Sequence, residues 1–154
     1  MGRTVVAGFG NLLMGDDAVG IHVVRELHAR GLPAGVEAVD GGVASLEVLG
    51  SMLDAARLII VDALSGGGEP GSVYRLTPDD LGPVPATAGY SLHELNLPQS
   101  LALLAETAAL PPIVIYGVEP ANLETGLELS PPAAAAVKRV ADLIMADLRG
   151  EADA

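Results

Sequence analysis

Carboxylates stand directly after several short apolar runs of this chain, a placement that invites chemistry. Asp16 and Asp17 lie beyond Thr4-Val5-Val6-Ala7 and the turn Gly8-Phe9-Gly10-Asn11; Asp40-Gly41-Gly42 closes Val36 to Val39; Asp62 closes Leu58-Ile59-Ile60-Val61; Glu119 follows Gly117-Val118. In open α/β sheets ligands bind at the carboxyl ends of the strands. Carboxylates gathered there would hold a cation or a partner that carries one. The chain has no cysteine, which excludes thiol catalysis, disulfides and thiolate metal sites and leaves carboxylate, imidazole or carbonyl ligands. Of the three histidines, His22 and His28 fall on the first helix and read as surface residues. His93 is the best placed: it follows a long loop within Ser91-Leu92-His93-Glu94, where Ser91 and Glu94 have the spacing of a capping box that would aim the imidazole.

Each of these residues also has an ordinary reading. Acids in a first helical turn are favoured by the helix dipole, which accounts for Asp17, with Asp16 as the helix cap. Asp40 beside two glycines can satisfy turn amides, and His93 can be a cap or surface residue. Asp62 is harder to dismiss, because a carboxylate at the end of a buried strand must find a hydrogen-bond partner or a metal to offset its desolvation. A competing motif is the dinucleotide fingerprint, with Gly8 and Gly10 at the turn and Asp40 as ribose ligand. Its third glycine is missing, since Leu13 stands there, and acids occupy the place where a pyrophosphate needs helix amides.

The elements that must position these groups follow from periodicity. Strands are expected at 4–7, 36–39, 58–61, 72–76 and 113–116, and helices at 16–30, from Leu46, at 97–110 and at 132–148. In the first helix Val19, Val23 and Leu27 recur at i, i+4 and i+8, with Val24 widening the stripe. Ser72 to Leu76 is close enough to the third strand to pair with it as a hairpin, giving an antiparallel edge. Residues 77–90, rich in Pro, Gly, Asp and Thr, read as a long surface loop. The sum is an α/β class: a three-layer α/β/α sandwich on a mostly parallel sheet of about five strands with one antiparallel edge strand. One domain over residues 4–149 and a frayed tail at 150–154 are expected.

Composition agrees and sets limits. Half of the 154 residues are hydrophobic but only 3% are aromatic, so the core must be built from Val, Ile, Leu and Ala, as in a sheet covered on both faces. The formal charge of −12, from 20 acidic and 8 basic residues, would repel phosphate backbones and anionic membranes, so nucleic acid and membrane are not expected partners. No apolar run reaches the ~18 residues that span a bilayer, and the first residues lack the features of a secretory signal, so a cytoplasmic location is expected.

Taken together, the Gly8-to-Gly20 segment, Asp40-Gly41-Gly42, Leu58 to Ala63, Ser91-Leu92-His93-Glu94-Leu95 and Tyr116-Gly117-Val118-Glu119-Pro120 resemble, in order and spacing, the maturation proteases of nickel-iron hydrogenases. The resemblance spans roughly residues 4–145. It implies an endopeptidase, metal-free at rest, that recognises nickel already inserted in a hydrogenase large-subunit precursor and removes a short C-terminal peptide. It also implies that Asp17, Asp62 and His93 contact the nickel and serve catalysis, while Asp40, Gly41 and Gly42 shape the substrate cleft. Asp17 is one methylene shorter than the Glu common in that family, which alters reach but not ligand type; Asn96 replaces a frequent glycine. Two alternatives stay open: a nucleotide- or small-ligand-binding α/β module, and a nonenzymatic nickel-delivery partner.

Overall fold

Successive residues of the first strand pack into different cores. In a computed structural model, which describes residues 2–43, 46–81 and 97–150, β1 (Thr4–Phe9) turns Val6 toward one face of the sheet and Val5, Ala7 and Phe9 toward the other. The same alternation in β3 (Arg57–Ala63) and β5 (Ile113–Val118) makes these strands near-continuous apolar runs, as expected of strands covered on both sides. One face is covered by α1 (Val19–Arg30) and α4 (Pro131–Leu148), which bring Val19, Val23, Val24, Leu27, Val140 and Ile144 onto Ile59, Val61 and Tyr116. The other is covered by α2 (Leu46–Gly50) and α3 (Leu97–Thr107) through Leu49, Leu97 and Leu101. At roughly 1.5–3 kcal/mol for each large apolar side chain removed from water, these two layers are the main source of stability.

The sheet runs β2-β1-β3-β5-β4, with β2 (Val36–Gly42) at one edge and β4 (Val73–Leu76) at the other. All pairings are parallel except β4 with β5. The expected α/β/α sandwich with one antiparallel edge is therefore observed, but the expected hairpin between β3 and Ser72–Leu76 is not. The apolar β5 takes the place beside β3, and β4 pairs beyond it. The connecting loop wraps the end of β5: Leu64 N–H donates to Val118 O, Gly71 N–H to Glu119 O, and Glu119 N–H to Ser72 O. The buried Glu119 carboxylate completes the wrap by accepting from the Gly66 and Gly68 amides and the Tyr74 hydroxyl, at 2.7, 3.1 and 2.7 Å. Where the sequence suggested a loop throughout 77–90, Pro78–Leu81 forms a 3-10 turn; residues 82–90 and 151–154 lie outside the described residues. No described helix is long and apolar enough to cross a membrane.

Polar anchoring is concentrated at the C-terminal end of α4. The buried Asp147 accepts from Arg57 at 3.0 Å, from Arg75 at 3.1 Å and from the Tyr116 hydroxyl, tying β3, β4 and β5 to the helix. Burial would raise its pKa, but the Tyr116 and Arg75 hydrogen bonds outweigh burial and hold the carboxyl below its ordinary range. Asp147→Asn is expected to cost about 2–3 kcal/mol at pH 7. That is less than the ~3–5 of breaking a fully buried ion pair, because both guanidinium groups reach water. A depressed folded-state pKa contributes stability above the unfolded value that is lost as pH falls through the folded one. The difference between parent and variant in denaturant unfolding should therefore shrink below about pH 4.

Candidate active site

Close backbone packing sets the carboxyl-end geometry. A Cβ at Gly20 would fall 2.3 Å from Val61 O and 2.5 Å from Phe9 O, and one at Gly8 would fall 2.1 Å from Gly20 O. The first turn of α1 thus lies directly on β1 and β3, which two side chains would prevent. Gly10, at φ +147°, lets Asp17 O approach to where its Cβ would be. The space beside Gly8 and Gly10 is filled by the chain's own backbone, so these glycines serve helix–strand contact rather than a pyrophosphate.

The segment expected to open the helix at Asp16 is instead a 3-10 turn, Gly15–Ala18, and α1 begins at Val19 without a side-chain cap. Asp16 does not cap the helix. It is 1% exposed and points away from the helix, where Oδ2 accepts from Ala121 N–H (2.8 Å), Asn122 N–H (3.1 Å) and Ser130 Oγ (2.7 Å) while Oδ1 accepts from Ser130 N–H (2.7 Å). Nothing local in the sequence signals this role, because every partner is more than a hundred residues away.

Asp17, by contrast, is only half-buried. Its Oδ2 accepts from Asn11 N–H at 2.9 Å, and the Asn11 side chain in turn accepts from Leu13 N–H at 2.9 Å, so the turn after β1 holds the carboxylate in place. Asp62 is the penultimate residue of β3, in register with Gly117 of β5. Its Oδ1 accepts from Ala63 N–H at 2.8 Å. Burial pushes its carboxyl up to about 7; the Ala63 N–H opposes that shift, and the nearby Asp17 charge adds to it. The structure thus brings two of the expected site residues together, and no arginine or lysine among the described residues forms an ion pair with either. His93, the expected third member, lies outside the described residues.

Asp40 is in register with Gly8, which is in register with Val61, so it stands about two strand spacings, roughly 10 Å, along the same edge. Its Oδ1 accepts from Gly42 N–H at 2.8 Å, the turn role that sequence allowed. Gly41 is required by the Phe9 ring, 2.4 Å from where its Cβ would be, and Gly42 by its φ of +65°. Beside them a groove of about 290 Å3 runs between β2 and α2, lined among others by Val5, Val39, Gly41, Val48 and Met52. The other two histidines stand apart. His28 Nε2 donates to Ala38 O at 2.8 Å. His22 is half-buried between α1 and α4 rather than on the surface, and burial with the Arg25 charge lowers its pKa.

The chain as a whole has known relatives. The profile of the hydrogenase maturation protease family matches residues 21–147. The hydrogenase 2 maturation protease of Escherichia coli K12 is 36% identical over 150 residues, covering 96% of this chain and 91% of its own length. The solved structure of the hydrogenase maturating endopeptidase HybD from E. coli superposes with a TM-score of 0.79 at 34% identity, over 96% of this chain and 93% of that one. The hydrogenase maturation protease HycI from Thermococcus kodakarensis gives 0.73 at 26% identity, over 92% and 89%.

Proposed function

The chain belongs to the hydrogenase maturation protease family, and from that premise we propose that it removes a short C-terminal peptide from the nickel-loaded large-subunit precursor of a nickel-iron hydrogenase. The observation that carries this reading is the carboxylate pair at the carboxyl ends of β1 and β3. Asp62 is partly buried beside the like charge of Asp17, without an ion-pair partner among the described residues. Such an arrangement costs stability in the resting protein and is relieved when a cation arrives. Nickel carried by the precursor is that cation. Asp17 and Asp62 supply oxygen ligands and His93 a nitrogen, a borderline set that leaves coordination positions for the precursor's own ligands.

In this arrangement the metal is the recognition element and belongs to the substrate. One aspartate takes the proton of the attacking water and passes it to the amine released as the peptide C–N bond breaks, while contact with nickel polarises the reacting groups. Asp40, Gly41 and Gly42 border the cleft, and the groove beside the edge strand β2 receives the extended C-terminal segment.

The test is the mass of a cognate large-subunit precursor, nickel-loaded or nickel-free, before and after incubation with the protein. Loss of a short C-terminal peptide from the loaded form alone is the expected result. Cleavage of both forms would remove nickel as the recognition element. Stable binding with no change of mass would favour a nonenzymatic delivery role.

A further inference from the structure

Exposed leucines scattered singly on a surface carry no message. Here they are gathered. Of the six large hydrophobic residues that stand exposed among the described residues, Leu13 (60%), Val43 (64%), Leu123 (46%) and Leu127 (70%) all lie at the carboxyl end of the sheet, and only Leu103 and Leu143 lie on helices. Leu13 and Leu127 flank a short parallel bridge between Met14 and Gly126. Gly126 N–H donates to Leu13 O at 2.8 Å, Gly15 N–H to Gly126 O at 3.0 Å, and Asp16 N–H to Asn122 O at 2.8 Å. With the four hydrogen bonds to the buried Asp16 carboxylate, these hold the 121–130 segment against the loop that leads into Asp17.

The charged residues that neighbour these leucines along the chain are all acidic. Glu124 and Glu128 are exposed and follow Leu123 and Leu127, and neither 10–17 nor 119–130 contains a lysine or arginine. A fixed apolar surface with an acidic rim marks an interaction site. Two copies of it face to face would set glutamate against glutamate, so the complementary partner is apolar at its centre and basic at its edge.

We infer that Leu13, Leu123 and Leu127, with Glu124 and Glu128, form a docking platform for the large-subunit precursor, engaging an apolar surface of it edged by lysine or arginine. This rests on the proposed processing activity and adds to it a binding surface separate from the nickel contacts. The platform adjoins Asp17 through the Leu13 loop, so a precursor seated on it is delivered to the carboxylate pair.

The experiment measures cleavage and binding of nickel-loaded precursor by the full-length parent, by Leu13→Ser/Leu127→Ser and by Glu124→Lys/Glu128→Lys. Both leucines are exposed, so unfolding midpoints should match the parent. The serine pair is expected to raise KM at least about tenfold while kcat at saturation stays within about twofold, the signature of lost ground-state binding. The lysine pair is expected to raise KM similarly at low salt, with the difference from parent shrinking as salt screens the rim. Unchanged KM in both pairs, or a fall in kcat alone, would overturn the platform. So would a dimer of the protein alone that the serine pair dissociates. If the parent binds the precursor without cutting it and the serine pair loses that binding, the platform stands and the protease reading falls; if the parent neither binds nor cuts, both fall.

Discussion

Asp62→Asn is expected to reduce precursor processing at least about 100-fold, the scale on which a positioned acid or base acts, while making the resting protein more stable at neutral and alkaline pH. The opposed effects have one cause. The Asp62 carboxyl ionises near 3.8 in the unfolded chain and about 7 in the folded one, mainly through burial, with the Asp17 charge adding to it. Below about pH 4 both states hold the proton and the group contributes nothing. Between about 4 and 7 the unfolded chain releases its proton while the folded one keeps it, so folding is progressively penalised; above about 7 the penalty is complete. At full value that displacement corresponds to roughly 4 kcal/mol. Partial exposure of the residue screens part of it, and a gain of about 2 kcal/mol is expected for the uncharged variant. Asparagine keeps the shape and an oxygen for the Ala63 amide, so packing is unchanged. Calorimetric midpoints for parent and variant should coincide near pH 4, diverge through pH 7 and then run parallel. A variant no more stable than the parent at pH 8 would show that the carboxyl ionises there without cost. Efficient processing by it would remove Asp62 from the chemistry.

How far the sequence revealed this arrangement depended on where each residue's partners lie. Asp62 was legible because its environment is set by its own strand: Leu58 to Val61 are fully buried, and whatever ends such a run at the carboxyl edge inherits their desolvation. The three-layer architecture was legible from strands alternating with helices, among them α1, whose Val19, Val23 and Leu27 stripe does pack on the sheet. The pairing of β4 was not. Proximity along the chain favoured β3, but burying both edges of Ile113–Val118 decides the order, and that competition involves segments some forty residues apart. Gly8, Gly10 and Gly20 were visible as a motif, yet their reason is the approach of α1 to the strands, which only tertiary packing shows. The exposure of Leu123 and Leu127 has no signature in the sequence, because an exposed leucine and a buried one are the same letter.

Asp16 and Asp17 put this distinction to the strictest test, since neighbouring residues of the same type should fail in opposite ways. Asp16→Ala would leave the Ala121, Asn122 and Ser130 amides and the Ser130 hydroxyl without their acceptor. Losing a buried charged acceptor shared by several donors is expected to cost about 3–5 kcal/mol. It would also loosen the start of α4, because Ser130 is its N-cap and accepts from Ala133 N–H. Burial works to raise the Asp16 pKa, but the Ser130, Ala121 and Asn122 hydrogen bonds hold it below the ordinary range, so this stability is present above about pH 4 and lost as pH falls through the folded value. Asp16→Asn should recover part of the loss: its single oxygen can serve the three donors at Oδ2, while its amide then meets the Ser130 N–H donor to donor. Asp17→Ala gives up one bond from Asn11 N–H and is expected to cost no more than about 1 kcal/mol, yet to lose processing as fully as Asp62→Asn. Denaturant unfolding and precursor mass, read on the same three variants, separate the roles. Asp17→Ala that processes normally would return Asp17 to an ordinary first-turn acid. Asp16→Ala as stable as the parent would mean that water replaces the carboxylate, and that the 121–130 segment is held by its backbone bonds to the Leu13 loop alone.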